Sequence, residues 1–390
     1  MTLRWAPRHR AAPVSPRDAL ASAPGRAFGA QTLRQIVHLQ QGGDALRLHL
    51  CNRFGQEPLE VGELRLALHD GNGRIDPATD TAVTLGNRTS WQLRAGQSAV
   101  SDAVALPVGS DCELAVSLYV PNVSGAATVH PEALQTGYVT AGNFTAAVEV
   151  PEPEEIGSLY WVMGVDALAP VGSEPVVAAF GDSLTDGTGT TNGANGRYPD
   201  CLSRRLGASV PNLGISGNRL LRDGFGTAGI SRFRRDVLSL SGATHVIIEL
   251  GTNDIGLATM YDLPQPGPDE IIAGLASLAR MARAAGVVPI GTTLPPTGGT
   301  QLSGFYSEAG EAVRSAVNDW ARATAEFHAV LDIDRAVRDP RRPSFYRSDL
   351  DSGDHLHPND KGASAIAEAI EPDAFRQLGV PLPNVALTDT

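Results

Sequence analysis

Four short polar segments of this chain hold the residue types that acyl transfer needs. Gly181-Asp182-Ser183-Leu184-Thr185 offers a hydroxyl, and Asn212-Leu213-Gly214-Ile215-Ser216-Gly217-Asn218 a glycine-bearing turn. Gly251-Thr252-Asn253-Asp254 offers a side-chain amide, and Asp354-His355-Leu356-His357-Pro358-Asn359 an acid and a base. A serine hydroxyl is a weak nucleophile until a histidine takes its proton, and that histidine needs a carboxylate to fix its tautomer. Asp354 lies three residues before His357, so one turn of backbone can hold carboxylate against imidazole. A tetrahedral intermediate also needs donors aimed at its oxyanion. The backbone N–H groups of Ser183 and Gly217 and the amide of Asn253 are the candidates, and glycine at 217 permits close backbone approach.

Each residue also has a plainer reading. Ser183 suits a turn or helix cap, and Asn253 a turn. Asp182 and Asp254 suit loops braced through backbone hydrogen bonds. His355 rivals His357, but one residue after Asp354 its side chain should diverge; Asp349 and Asp351 lack the three-residue offset. Arg197 and Tyr198 follow a Gly/Asn-rich stretch, residues 187–196, that reads as a mobile loop beside the serine. Asp182, Arg197, Tyr198 and His355 are therefore candidate substrate contacts. The stretch lacks the Lys-Ser/Thr of a phosphate loop and the G-x-G-x-x-G spacing, so no nucleotide cofactor is expected. Cys51, Cys112 and Cys201 form no C-x-x-C pair, so neither a metal site nor a disulfide framework is indicated. His38 and His130 read as satisfied sheet histidines.

The elements that must position these residues show two textures. Over residues 31–167 apolar residues alternate with polar ones, as in Leu46, Leu48 and Leu50 against Arg47 and His49, or Leu114, Val116, Leu118 and Val120. That period lines one face of a strand, and turn signals at Gly42-Gly43, residues 70–73 and Pro121-Asn122 separate the runs. It predicts an all-β, jelly-roll-like sandwich of antiparallel sheets with one wet face. From about residue 171 continuous apolar runs at 176–180, 244–250, 287–293 and 329–333 alternate with helical stripes. Ile271, Leu275, Leu278 and Ala282, between Asp269 and Gly286, form one stripe; Val313, Val317, Trp320 and Thr324 form another. Strands alternating with helices predict an α/β domain, a parallel sheet flanked by helices. In such sheets ligands bind outside the carboxyl ends of the strands, where the four polar segments fall. The expected organisation is an N-terminal extension (1–30), the sandwich (31–170) and the α/β domain (171–390).

A net charge of -12 opposes broad binding to nucleic acid or anionic membranes. No apolar run approaches the length of a transmembrane segment, and the N-terminus lacks the apolar stretch of an export signal, which favours a cytoplasmic protein. Only one of the 31 basic residues is lysine, Lys361. Oligomeric state is not legible.

Together the four segments resemble the SGNH, or GDSL-type, hydrolases, whose flavodoxin-like domain carries its Ser, Gly, Asn and His in separate blocks. The resemblance runs from about residue 175 to 378 and implies Ser183 as nucleophile, Gly217 and Asn253 as oxyanion donors, and Asp354 and His357 as acid and base. Gln31-Thr32-Leu33-Arg34-Gln35, Asn52-Arg53-Phe54-Gly55 and Ser117-Leu118-Tyr119-Val120-Pro121 are similar to the front sandwich of a two-domain subgroup grouped with xylanase-associated esterases. That implies a short-chain, acetyl-type esterase acting on small-molecule or carbohydrate esters, without metal or cofactor, and a secreted location. The same site would also serve a lipase, a lysophospholipase or an acyltransferase, and an inactive hydrolase domain would leave a carbohydrate-binding protein.

Overall fold

The computed structural model describes residues 2–18, 25–171 and 174–375. The limit at 390 expected for the second domain lies outside them. The first half is rich in strands. A four-stranded antiparallel sheet (Leu3–Arg10, Val162–Pro170, Leu46–Cys51, Ser98–Val100) faces a six-stranded one built on Gln31–Leu39, Cys112–Val120 and Glu63–Leu68. Leu46, Leu48, Leu50, Val162 and Val165 of the smaller sheet meet Leu33, Val37, Leu64, Leu66, Leu114, Val116 and Leu118 of the larger in one core. The alternation of period two is what aims these side chains at one another.

Two expectations about this half are corrected. Leu3–Arg10 is not an extension but an edge strand, paired antiparallel with Val162–Pro170. Its arginines hid it: Arg8 and Arg10 are drawn inward by Glu174 and Asp166, so charged residues occupy positions a strand pattern reserves for apolar ones. The outer face of the six-stranded sheet is also not wet. Ile36, Ala67, Ala115, Tyr138 and Val150 form a second buried cluster there. Arg34, fully buried beside it, donates to the carbonyls of Gly73, Thr145, Ala147 and Val148, holding the covering loop down.

The second half is the α/β layer structure. Its five-stranded sheet runs Asn212–Gly214, Val177–Gly181, His245–Glu249, Val288–Thr292, Ala329–Leu331, all pairs parallel. Helices cover both faces. Pro268–Ala284 buries Ile271, Leu275, Leu278 and Ala282 and starts on Gly267 and Pro268, ahead of the expected Asp269. Glu308–Ala323 packs beside it, while Tyr198–Leu206 and Asp360–Glu368 pack together on the opposite face. Register places the chemistry: Gly181 is level with both Gly214 and Glu249. The segments leaving those three strand ends, with Ser183, Gly217 and Asn253, therefore emerge on one rim. Among the described residues no helix is long and apolar enough to cross a membrane.

Candidate active site

Ser183 opens the short helix Ser183–Asp186 directly after the strand Val177–Gly181. Asp182 caps that helix, its Oδ1 accepting from Leu184 N at 3.1 Å. Ser183 Oγ lies 2.8 Å from His357 Nε2, and His357 Nδ1 lies 2.6 Å from Asp354 Oδ2. The other oxygen of Asp354 accepts from the backbone N–H of Leu356 (2.9 Å) and His357 (2.8 Å), so the two side chains belong to one tight turn. Burial alone would raise the Asp354 carboxyl; the hydrogen bonds and charge of His357 outweigh it and hold the group well below the usual carboxylate range. Because Nδ1 faces a carboxylate, the neutral ring carries its proton there and leaves Nε2 free to accept from Ser183.

The candidate oxyanion donors lie at the two flanking strand ends. Gly217 stands at φ +76°, and a Cβ there would come within 2.8 Å of the Phe225 ring, so the turn requires glycine. Among the described residues no backbone hydrogen bond engages the N–H of Ser183 or Gly217. Asn253 is buried with its amide already engaged: Nδ2 donates to Asp182 Oδ2 (3.0 Å) and to the Asn218 carbonyl (3.1 Å). Asp254 takes the N–H groups of Leu220 and Leu221, tying the 217–221 segment to the helix Thr252–Met260 that follows the third strand.

The structure separates the remaining expected contacts. His355 is half exposed at the rim, at φ +60°, its ring turned onto Asp351. Asp182 is buried beneath the serine and braces its surroundings. Two expectations are corrected. Tyr198 is 1% exposed and gives its hydroxyl to a bond with Thr185 Oγ1 (3.0 Å), because it starts a helix whose first turn packs against the sheet. Arg197 is turned into the seam with the sandwich, where Asp200 takes its Nε at 2.6 Å. The loop 187–196 is pinned on both sides: Thr191 bonds Asp360, Gly193 N donates to Leu134 O, and Gln135 reaches Asn195. The rival acid Asp349 holds Lys361 (2.6 Å) and Arg347 instead.

Sequence reasoning missed the layer beneath. Glu249, ending the third strand, accepts from Asp182 N (3.2 Å) and Thr185 Oγ1 (3.0 Å). Burial and then the Asp182 charge push its carboxyl well above the usual range, and burial raises Asp182 to about 6. The signal was present: an acid closing an apolar strand just before Gly251-Thr252-Asn253. Arg232, fully buried, donates to Gly181 O (2.8 Å), Leu213 O (2.9 Å) and Asn218 Oδ1 (3.0 Å), clamping two strand ends to the turn. A cavity of about 310 Å³ opens between the halves on Arg10, His49, Leu213 and Arg235; Ser183 and His357 do not line it.

The GDSL-like lipase/acylhydrolase family model matches residues 179–365. The second half of the chain is a GDSL-type acylhydrolase domain. With it the chain is a carboxylic ester hydrolase. Similar solved structures include a carbohydrate acetylesterase from Sinorhizobium meliloti, at 20% identity and TM-score 0.41 over 51% of this chain and 97% of that one. An aryl esterase from M. smegmatis is similar at 20% identity and TM-score 0.41, over 50% and 95%. A family two carbohydrate esterase from Cellvibrio japonicus is similar at 13% identity and TM-score 0.38, over 95% and 96%. No curated protein matches the sequence. In the acylhydrolase domain the matched stretch holds Ser183, Gly217, Asn253, Asp354 and His357 together.

Proposed function

We propose that the protein is a serine esterase for short-chain, acetyl-type esters, with small or carbohydrate alcohols, in two domains that divide near residue 171. Ser183 is the nucleophile, His357 its base, and Asp354 the group that orients the base. One observation carries this reading: the unbroken line from Asp354 Oδ2 through His357 to Ser183 Oγ, at 2.6 and 2.8 Å. His357 Nε2 takes the serine proton as Oγ attacks the ester carbonyl, and returns it to the leaving alkoxide. The acyl-enzyme is then opened by water activated at the same nitrogen. The N–H groups of Ser183 and Gly217, with Asn253 Nδ2, receive the oxyanion.

Two features support a short acyl group and a polar alcohol. Phe225 fills the space against Gly217 and packs with Leu257, Phe305 and Leu356, leaving little room for a chain beside the oxyanion turn. His355, half exposed at the rim, offers a polar group suited to a sugar hydroxyl. Hydrolysis of p-nitrophenyl esters from acetyl to dodecanoyl tests the reading, with Ser183→Ala alongside. Acetyl should be preferred, and the variant should lose turnover on the order of 10⁶-fold. Preference for dodecanoyl would turn the reading to a lipase; an active Ser183→Ala would remove the nucleophile assignment.

A further inference from the structure

The sandwich reaches into the site through two side chains that the mechanism above does not use. Glu132, on the sandwich segment that follows Val129–His130, accepts from Ser216 Oγ (2.7 Å) and from Thr188 Oγ1 (2.6 Å) with a single oxygen, Oε2. The two hydroxyls also meet each other at 2.7 Å. Ser216 is the residue before Gly217, and Thr188 N is bonded to the carbonyl of Ser183 at 3.0 Å. One carboxylate of the first half thus joins the segment carrying the oxyanion glycine to the segment carrying the serine.

A second grip acts on the same turn. Ser216 N donates to Asp186 Oδ2 (2.9 Å), and the other oxygen of Asp186 faces His130 Nε2 at 3.1 Å. The opposite nitrogen of His130 faces the Ala12 carbonyl at 3.1 Å. Ala12 and Val14 in turn pack on Ile215, one residue further back along the turn. Backbone, hydroxyl and apolar contacts from the sandwich side all converge on residues 215–216.

Resting on the esterase reading, we propose that Glu132 is a positioning residue: the sandwich, through it, sets the distance between the Ser183 and Gly217 N–H groups. Charge is not the means, since a carboxylate beside the turn would repel a developing oxyanion. Placement is the means, and misplacing such donors by an ångström can cost about 10²-fold in rate.

The test is kcat and KM on p-nitrophenyl acetate for the full chain carrying Glu132→Ala, Glu132→Gln, Ser216→Ala or Glu132→Ala with Ser216→Ala, with Tm for each. Expected are a kcat loss of about 10- to 100-fold in Glu132→Ala at unchanged KM, and near-complete rescue in Glu132→Gln, whose amide oxygen can accept both hydroxyls. Ser216→Ala should lose kcat similarly, and the double variant should lose no more than the worse single one. Full kcat in Glu132→Ala, equal impairment in Glu132→Gln, or additive losses would each overturn the proposal. Should Glu132→Ala not fold, Ser216→Ala alone decides: a kcat loss at unchanged KM supports the proposal and full kcat overturns it. Ser183→Ala in the same assay keeps the two readings apart. If it stays active the esterase reading fails; if it is dead while Glu132→Ala is not, only this one does.

Discussion

Asn253 has two amide protons and three claimants for them: Asp182, the Asn218 carbonyl and, in the proposed mechanism, the oxyanion. A full negative charge outcompetes a neutral carbonyl for a donor, so the bond to Asn218 is the one to be exchanged in the transition state. Asn253→Ala should then lower kcat by about 10²–10³-fold with little change in KM, measured on p-nitrophenyl acetate. An unchanged kcat would leave the oxyanion to the two backbone donors. At this scale the line Asp354–His357–Ser183 was legible, because residue types and order are dictated by the chemistry proposed, whereas Arg197 and Tyr198 were misplaced. The supports of that line were not legible. Glu249 reads as the end of an apolar strand, and Arg232 as one arginine among many, until register brings Gly181, Leu213 and Asn218 around it.

Among the elements, four of the five parallel strands were legible to within two residues, since a strand buried on both faces must be continuously apolar; Asn212–Gly214 was not, because it is short and reads as part of a polar turn. Leu3–Arg10 was not, because ion pairs replaced apolar burial. Nor was the fixity of the loop 187–196, which depends on Leu134, Gln135 and Asp360 from distant parts of the chain. That loop packs against the turn that carries His357. A Cβ on Gly189, at φ +92°, would lie 2.6 Å from Pro358 O and 3.0 Å from His357 Cβ, whereas one on Gly193, at φ +75°, would meet nothing within 4 Å. Both substitutions to alanine carry the strain of positive φ, about 1 kcal/mol or somewhat more. Gly189→Ala should in addition displace His357 and reduce kcat, while Gly193→Ala should shift Tm with kcat retained. Equal kcat in the two variants would show that the loop does not set the imidazole.

For the whole molecule the seam between the halves is itself ionisable. His38 and Asp200 meet across it at 3.7 Å, and His130 and Asp186 at 3.1 Å, with Arg197 and His9 close to His130. Burial lowers the His130 pKa and Asp186 raises it, with the net result above the usual histidine value. Such a group adds stability that is fully present below about 6.5 and lost as pH rises through its folded value. The Tm gap between wild type and His130→Gln should accordingly be widest in mildly acidic buffer and close toward alkaline pH; a gap constant from pH 5 to 9 would exclude a charged His130. That this histidine belongs to a seam and not merely to a sheet could not be read from its neighbours in sequence.

Lys361 sits on the helix Asp360–Glu368, four residues beyond His357, with its ammonium on Asp349 and most of its side chain in solvent. In a chain with a single lysine, amine-reactive chemistry has one side-chain target. A dye placed there is a reporter fixed beside the turn that carries Asp354 and His357, and a bead coupled through that side chain holds the molecule with this turn toward the support.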